Sequence, residues 1–233
     1  MSKVFVTGAN KGIGFAISKE LGLNGWHVLV GARNQERGER AVSRLKSLGV
    51  KEAEWIAIDL SDLKGIQATI DFIVSKHSDL KMLVNNAGKP GNMECPSYES
   101  ELKDIIETVN VNYIGTYALT KGLVPVIAKN RGRIINITVP TTVNPYWNPL
   151  AYKASKAAQN VMTATMGFDF DQHHIPVEIL CIHPGPTTTD LNGNMTGEGF
   201  HKPDIVAKKF MDIINDGKRH QGEFIEIFPI VSA

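Results

Sequence analysis

This chain takes its architecture from Thr7-Gly-Ala-Asn-Lys-Gly-Ile-Gly14, a glycine-rich turn between a predicted strand and a predicted helix. The strand is the β-branched run before it, and the helical pattern follows through Ala16, Ile17, Leu21 and Leu23. Glycines at such a turn let the backbone approach a pyrophosphate, whose charge then faces the helix N-terminus. Glycine clusters alone are usually only turns, but strand, turn and helix in this order predict a dinucleotide site.

The rest of the chain alternates short β-branched runs with longer amphipathic segments, which is typical of a parallel sheet covered by helices. The predicted strands run over Lys3 to Thr7, His27 to Gly31, Glu54 to Ile58, Met82 to Asn85, Arg133 to Thr138, Val177 to Ile182 and Phe224 to Phe228. Asn34 and Ser61 are predicted to cap the helices that follow them. No linker divides residues 1–233, so we expect a single-domain α/β protein, a doubly wound parallel sheet (Rossmann fold) with helices on both faces.

The composition excludes several classes of partner. Lys and Arg total 25 against 24 Asp and Glu, and this net charge of +1 predicts binding to neither nucleic acid nor an anionic membrane. The short apolar run at the start ends at Gly8, and no long apolar stretch suggests a membrane span. Cys95 and Cys181 lie far apart without a metal or redox spacing. We expect a cytoplasmic protein with reduced thiols, no metal and a small-molecule substrate.

The end of the second strand indicates which dinucleotide is bound. Roughly 20 residues past the glycine turn, where a carboxylate would bind a ribose 2′-hydroxyl, the chain has Gly31-Ala-Arg-Asn34. Arg33 has no acid beside it and favours a 2′-phosphate, which Lys11 in the glycine turn is also able to reach. NADP (NADPH) is therefore expected over NAD, although Glu36 keeps the NAD alternative open.

A second motif, Tyr152-Lys-Ala-Ser-Lys156, carries proton chemistry. A helix places its phenol and its terminal ammonium on one face, one turn apart. A fixed positive charge there stabilises the phenolate and lowers the tyrosine pKa, so the pair could pass a proton to a carbonyl oxygen. The alternative is a packed aromatic residue beside a solvated charge.

Together these motifs resemble the short-chain dehydrogenase/reductase family, and Asn10-Lys-Gly-Ile-Gly14 is similar to its carbonyl reductase branch. The resemblance covers nearly the whole chain. Its further motifs are an adenine-contacting acid at Asp59 followed by Leu60, NNAG at Asn85 to Gly88, NxxG at Asn112 to Gly115, and PGxxxT at Pro184 to Thr189.

The resemblance implies hydride transfer from reduced nicotinamide to a ketone or aldehyde, with Tyr152 as the proton donor. Lys156 would bind the nicotinamide ribose and lower the tyrosine pKa. Asn112 would disrupt its helix and hold a water that joins the lysine to solvent. The cofactor-binding residues implied are Gly8, Asn10, Lys11, Gly12, Ile13, Gly14, Arg33, Asp59, Leu60, Asn86, Ala87, Gly88, Tyr152, Lys156, Pro184, Gly185, Thr187 and Thr189.

The motifs at Asp59 and at Asn85 to Gly88 also allow structural roles. Asp59 could cap the next helix instead of binding adenine. Asn85, beside Asn86, could brace neighbouring strands while the backbone at Ala87 and Gly88 lines the ribose.

The chain departs from the family pattern at Val139, where the family usually has a serine that hydrogen-bonds the substrate carbonyl. Thr138, Thr141 and Thr142 are the candidate substitutes. Thr138 needs a bulge or a register slip, because consecutive strand residues point to opposite faces. Losing one preorganised donor typically costs roughly 2.7 to 4 kcal/mol of transition-state stabilisation.

Two functions from different classes follow. The first is an NADPH-dependent reductase of ketones or aldehydes, and the alternative is an NADP-binding sensor or interaction module with little turnover. Residues 185–203, rich in Gly, Thr and Asn, are expected to form the substrate-binding loop. A homodimer or homotetramer is expected by analogy, because monomeric carbonyl reductases carry a long insertion before the tyrosine that this chain lacks.

Overall fold

The computed structural model describes residues 1–143 and 147–228. Within these residues, seven strands form one sheet in the order β3-β2-β1-β4-β5-β6-β7. Every neighbouring pair is parallel. The strands are β1 Lys3–Thr7, β2 His27–Ala32, β3 Ala53–Ala57, β4 Leu80–Asn85, β5 Arg133–Ile137, β6 Glu178–His183 and β7 Phe224–Glu226. The predicted doubly wound fold is confirmed, and every predicted strand overlaps an observed one.

Helices cover both faces of the sheet. They are α1 Gly12–Leu23, α2 Gln35–Ser47, α3 Leu63–Lys76, α4 Leu102–Val109, α5 Thr116–Lys129, α6 Leu150–Gln172 and α7 Pro203–Ile214. One apolar core lies between the sheet and helices α1, α2 and α7. A second core lies on the opposite face, under α3, α5 and the C-terminal part of α6. The described helices include none with the length and apolar character needed to cross a membrane.

The strand order reverses between β1 and β4, which opens a crevice at their carboxyl ends. The Thr7 hydroxyl at the end of β1 joins the two strands there, because it accepts hydrogen bonds from the backbone N–H groups of Asn86 at 3.0 Å and Ala87 at 3.1 Å. The glycine turn and the turn after β4 are therefore held side by side at one edge of the sheet.

One of the two predicted helix caps is correct. The Asn34 side chain accepts a hydrogen bond from the Arg37 N–H at 2.9 Å and caps α2. The prediction of Ser61 is wrong, since the N-cap of α3 is Asp62, which accepts from the Lys64 N–H at 3.1 Å. Ser61 is occupied elsewhere because its N–H and its hydroxyl both donate to Asp59 Oδ1.

A π-helical turn at Asn110–Gly115 separates α4 from α5. It presses closely against the segment that follows β3, and a Cβ atom on Gly115 would lie 2.0 Å from the Leu60 carbonyl oxygen. A side chain at this position would therefore clash with backbone. This close contact fixes the π-helical turn against one wall of the crevice.

Candidate active site

A cavity of about 440 Å³ occupies the crevice at the carboxyl ends of the strands. Its walls come from the glycine turn, the ends of β2, β3 and β5, the turn after β4, helix α6 and the loop after β6. Fifteen of the residues proposed from sequence for cofactor binding lie in these walls: Gly8, Asn10, Lys11, Gly12, Ile13, Arg33, Asp59, Leu60, Asn86, Ala87, Gly88, Tyr152, Lys156, Pro184 and Thr189.

Glycine is required where the glycine turn meets the turn after β4. Gly8 has φ +66°, and a Cβ atom there would lie 2.9 Å from the Ala87 Cα. The Asn86 side chain holds the two turns together, because its Nδ2 donates to the Thr7 carbonyl at 2.9 Å and to the Gly8 carbonyl at 3.3 Å. The floor of the cavity is therefore bare backbone, which suits close approach of a phosphate.

The other three proposed cofactor residues, Gly14, Gly185 and Thr187, are not among the cavity-lining residues. A Cβ atom on Gly14 would lie 2.4 Å from Asn86 Nδ2, so this glycine permits packing behind the turn. Gly185 has φ +73° and faces Phe228, while the Thr187 hydroxyl donates to the Gly185 carbonyl at 3.0 Å. These residues shape the loop that supports the cavity wall.

Positive charge gathers at the β2 end of the cavity. Arg33 and Arg37 are both exposed and both line it. Sequence reasoning missed Arg37, although its position one helical turn after Arg33, inside the turn that Asn34 caps, was the available signal. Glu36 is not a lining residue, and its carboxylate pairs with Arg40 at 2.6 Å.

Lys11 lies farther along the same wall and is paired across the cavity mouth. Its Nζ lies 2.7 Å from Asp190 Oδ2, in an ion pair whose two side chains are both more than half exposed. Asp190 begins the short helical turn Asp190–Asn192 within the loop after β6. This contact joins the glycine turn to the predicted substrate-binding loop.

Asp59 lines the cavity beyond the end of β3. Its carboxylate accepts from the Ser61 N–H at 2.9 Å and from the Ser61 hydroxyl at 2.7 Å. The hydroxyl hydrogen bond holds the pKa of the Asp59 carboxyl below its ordinary value. The group is thus a fixed anionic acceptor at the β3 end of the cavity, and it is not the cap of α3.

Tyr152 and Lys156 stand one turn apart on α6 and both line the cavity. Lys156 Nζ lies 5.7 Å from the centre of the Tyr152 ring. Burial raises the pKa of Tyr152 to about 12 and lowers the pKa of Lys156 to about 8. The tyrosine pKa therefore moves opposite to the expected direction, because burial penalises the phenolate.

The Lys156 ammonium is fixed by two neutral acceptors. Its Nζ donates to the Ile137 carbonyl at 2.8 Å and to Gln159 Oε1 at 2.9 Å. An ammonium carries three donors, so one N–H remains for the cavity. Gln159 is fully buried, and nothing in its sequence position alone distinguished it from an ordinary polar helix residue.

Asn112 is fully buried in the π-helical turn. Its Oδ1 accepts from the Lys89 N–H at 2.7 Å, and its Nδ2 donates to the Lys89 carbonyl and to Ser155 Oγ, both at 2.9 Å. Its own carbonyl accepts from Gln159 Nε2 at 2.6 Å. Asn112 thus joins the turn after β4 to α6. At the end of β4, Asn85 braces strands as expected, because its Nδ2 donates to Asn136 Oδ1 on β5 at 2.8 Å.

Val139, at the position of the expected serine, lines the cavity and offers no side-chain donor. The Thr138 hydroxyl also borders the cavity, but it donates to Asn160 Oδ1 at 2.5 Å and accepts from the Val139 N–H at 2.6 Å. Thr141 and Thr142 are exposed and do not line the cavity. In this structure, therefore, no threonine of this segment directs a free hydroxyl at Tyr152.

The residues described include no cluster of three His, Cys, Asp or Glu side chains able to hold a metal ion. Fold and site together define an α/β protein with a buried tyrosine and a lysine ammonium in the wall of one cavity. The family model for short chain dehydrogenases matches residues 2–198. This chain belongs to the short-chain dehydrogenase family.

Individual relatives agree with this assignment. The chain is 28% identical over 232 residues to the short-chain dehydrogenase anuI of Penicillium roqueforti, covering 92% of this chain and 88% of that protein. It is 36% identical over 137 residues to carbonyl reductase (NADPH) 1 of Mus musculus, covering 57% of this chain and 47% of that protein. A metagenomic short-chain oxidoreductase solved in complex with NADP has a TM-score of 0.80 and 28% identity, over 97% of this chain and 96% of the other.

Proposed function

We propose that this enzyme reduces a ketone or aldehyde carbonyl to an alcohol with NADPH. The observation that carries the proposal is the buried Tyr152 and Lys156 pair at one end of a cavity whose other end carries Arg33 and Arg37. The similarity to a mouse carbonyl reductase and to an oxidoreductase solved with NADP supports the same chemistry.

The cavity residues fit a dinucleotide phosphate. The bare backbone around Gly8 suits a pyrophosphate, and the Asp59 carboxylate is able to accept from an adenine amino group. Arg33 and Arg37 offer charge-assisted hydrogen bonds to a 2′-phosphate. The remaining N–H of Lys156 suits ribose hydroxyls. When bound, NADPH supplies the hydride that the carbonyl carbon receives.

The side chains of this enzyme then deliver one proton to the carbonyl oxygen. Because burial holds the pKa of Tyr152 near 12, its phenol stays protonated at neutral pH and donates to the carbonyl oxygen as negative charge develops there. Lys156, with a pKa of about 8, is mostly an ammonium at neutral pH and stabilises the phenolate that remains. At neutral pH the tyrosine and the lysine therefore both carry the protons that reduction requires.

NADP is favoured over NAD by the charges near the end of β2. Arg33 and Arg37 line the cavity, whereas Glu36, the acid able to accept from a ribose 2′-hydroxyl, pairs with Arg40 outside it. A 2′-phosphate would meet two cations there.

A binding module without turnover is not favoured, since the proton donor and its ammonium are both in place and the relatives named above are oxidoreductases. Val139 leaves one donor fewer for the oxyanion, which predicts a slower enzyme rather than an inactive one. We propose that Thr138 acts only as a positioning residue, because its hydroxyl donates to Asn160 and so ties the end of β5 to α6.

We place the substrate beneath residues 185–203 and treat residues 1–233 as one functional unit. The ion pair between Lys11 and Asp190 supports this placement, because it draws the loop over the cavity mouth. We also propose a homodimer or homotetramer. Helix α6 presents Val161 and Phe168, which are 67% and 64% exposed, on the side away from the core, where a second copy would cover them.

The test is NADPH oxidation, followed by absorbance at 340 nm, across a panel of aldehydes, ketones and quinones. We expect turnover of at least one class and its loss in Tyr152→Phe, while NADPH binding by fluorescence is retained. Tight NADPH binding with no turnover of any carbonyl compound would contradict the proposal. Turnover that Tyr152→Phe leaves intact would contradict the assigned proton donor.

A further inference from the structure

We infer that Gln159 is a positioning residue, which fixes the Lys156 ammonium by an amide bridge to the π-helical turn. Gln159 Oε1 accepts from Lys156 Nζ at 2.9 Å, and Gln159 Nε2 donates to the Asn112 carbonyl at 2.6 Å. Both ends of one amide are thus used, one by the ammonium and one by the backbone of the π-helical turn. This inference deepens the proposed function and rests on it.

All three residues of the amide bridge are buried inside the protein. Gln159 and Asn112 are fully buried, and Lys156 is 1% exposed. The buried amide cannot exchange these partners for bulk solvent, so loss of the side chain would leave a buried charge with one acceptor fewer. The Ile137 carbonyl is the other acceptor. Two acceptors therefore orient the ammonium, and Gln159 is the one that a side-chain substitution removes.

Both acceptors that hold the ammonium are neutral. Among the described residues, the titratable side chains on the elements around it include Tyr152 and Lys153 on α6, Tyr113 on the π-helical turn, and Cys181 and His183 on β6. Lys89, in the turn after β4, pairs with Glu107. Burial raises the pKa of the Cys181 thiol to about 11 and lowers the pKa of His183, so both are neutral near pH 7. The Gln159 carbonyl is then a principal stabiliser of the charged form of Lys156.

Replacing Gln159 should therefore move the Lys156 titration in a direction set by the new side chain. Gln159→Leu removes a hydrogen bond to the charged form and should lower the pKa of Lys156 by about one unit. Gln159→Glu keeps the size of the side chain but loses the donor to the Asn112 carbonyl. Because it places an opposite charge beside the ammonium, it should still raise that pKa by about one unit or more. If Gln159 had a purely structural role, the two substitutions would not shift the Lys156 pKa in opposite directions.

The direct measurement is a pH titration by NMR of protein labelled with ¹³C at lysine Cε, with the Lys156 signal assigned by its absence in Lys156→Arg. We expect a midpoint near 8 in the wild type, a lower midpoint in Gln159→Leu and a higher one in Gln159→Glu. Gln172→Leu, the same change at the exposed end of α6, should titrate like the wild type. If Gln159→Leu does not fold, the nearly isosteric Gln159→Glu still carries the test.

Activity gives an independent readout. The ammonium exists below its pKa, so the kcat for carbonyl reduction should fall as pH rises through it, at lower pH in Gln159→Leu and at higher pH in Gln159→Glu. The same Lys156 midpoint in the wild type and both variants would overturn the role of Gln159 while leaving the reductase proposal intact. A wild type with no turnover would count against the reductase proposal, and the NMR titration would still decide the bridge.

Discussion

At the scale of single residues, burial shifts the pKa values of Tyr152 and Lys156, the proposed proton-transfer pair, in opposite directions. Burial raises the pKa of Tyr152 to about 12 and lowers that of Lys156 to about 8, because it penalises the charged form of each. Between these values, and down to neutral pH, the tyrosine keeps its proton. The reverse reaction must remove that proton, so alcohol oxidation should need a higher pH than carbonyl reduction.

The residue at the serine position allows a gain-of-function prediction. Val139→Ser supplies a hydroxyl in the cavity wall, beside the position where the substrate oxygen meets Tyr152. We expect kcat for carbonyl reduction to rise by on the order of 10- to 100-fold. This is at or below the factor by which kcat usually falls when one hydrogen-bond donor to the oxyanion is removed. Val139→Ala is the matched control, which removes the same methyl groups without adding a donor and should give no rise. Equal kcat values for the two variants would show that the missing hydroxyl does not limit the rate.

The arginine at the start of α2 allows a prediction about cofactor selection. Arg37→Ala removes one charge-assisted hydrogen bond to a 2′-phosphate, so the Kd of NADPH should rise by about 10- to 100-fold. The Kd of NADH should stay nearly constant, because NADH lacks that phosphate. Lys46→Ala, at an exposed cation near the end of α2 that does not line the cavity, is the control and should change neither Kd. Parallel losses for NADPH and NADH in Arg37→Ala would contradict the assigned phosphate contact.

At the scale of elements, the strands were predictable from sequence. Each contains a short apolar run, and such runs are typical of buried strands. Helix caps were harder to predict, because a capping side chain can be engaged by another residue. Asn34 caps α2 as predicted. The Ser61 hydroxyl instead donates to Asp59, and Asp62 caps α3. Gln159 could not be found from sequence. Its role depends on a tertiary contact between α6 and the π-helical turn, which periodicity within one helix does not encode.

The π-helical turn carries the prediction at this scale. Gly115→Ala would place a Cβ atom 2.0 Å from the Leu60 carbonyl oxygen, so backbone must move. We expect the free energy of unfolding, measured by urea denaturation, to fall by about 1–3 kcal/mol or more. Gly65→Ala in α3 is the control, because its Cβ would meet the end of the Asp62 side chain, which caps α3 and is able to shift by rotation, so it should cost less stability than Gly115→Ala. Equal stability of the two variants would contradict the tight packing described for Gly115.

At the scale of the whole molecule, the sheet brings together residues that are far apart in sequence. The cavity lies where the strand order reverses, so the glycine turn, Asp59, the end of β5 and α6 all reach it although they span most of the chain. The ion pair between Lys11 and Asp190 closes the same cavity from the C-terminal half. The sequence motifs predicted this convergence, since carboxyl ends of parallel strands share one edge.

Assembly gives the prediction at the scale of the molecule. Phe168→Asp puts a charge on the exposed apolar side of α6, where a second copy is proposed, so it should shift the protein toward monomers. Sedimentation velocity at several concentrations measures this shift. Phe72→Asp, at a phenylalanine on α3 that is 45% exposed, is the matched control and should sediment like the wild type. A monomeric wild type, or an oligomer unaffected by Phe168→Asp, would contradict this interface.

The central claim is that Tyr152 protonates a carbonyl oxygen while NADPH reduces the carbon. The most direct measurement is mass spectrometry of the alcohol formed from NADPH that carries deuterium at both nicotinamide C4 positions, with wild type and Tyr152→Phe compared at equal cofactor saturation. We predict one deuterium per alcohol on the former carbonyl carbon with the wild type and loss of nearly all product with Tyr152→Phe. An alcohol without deuterium, or undiminished labelled product from Tyr152→Phe, would contradict the claim.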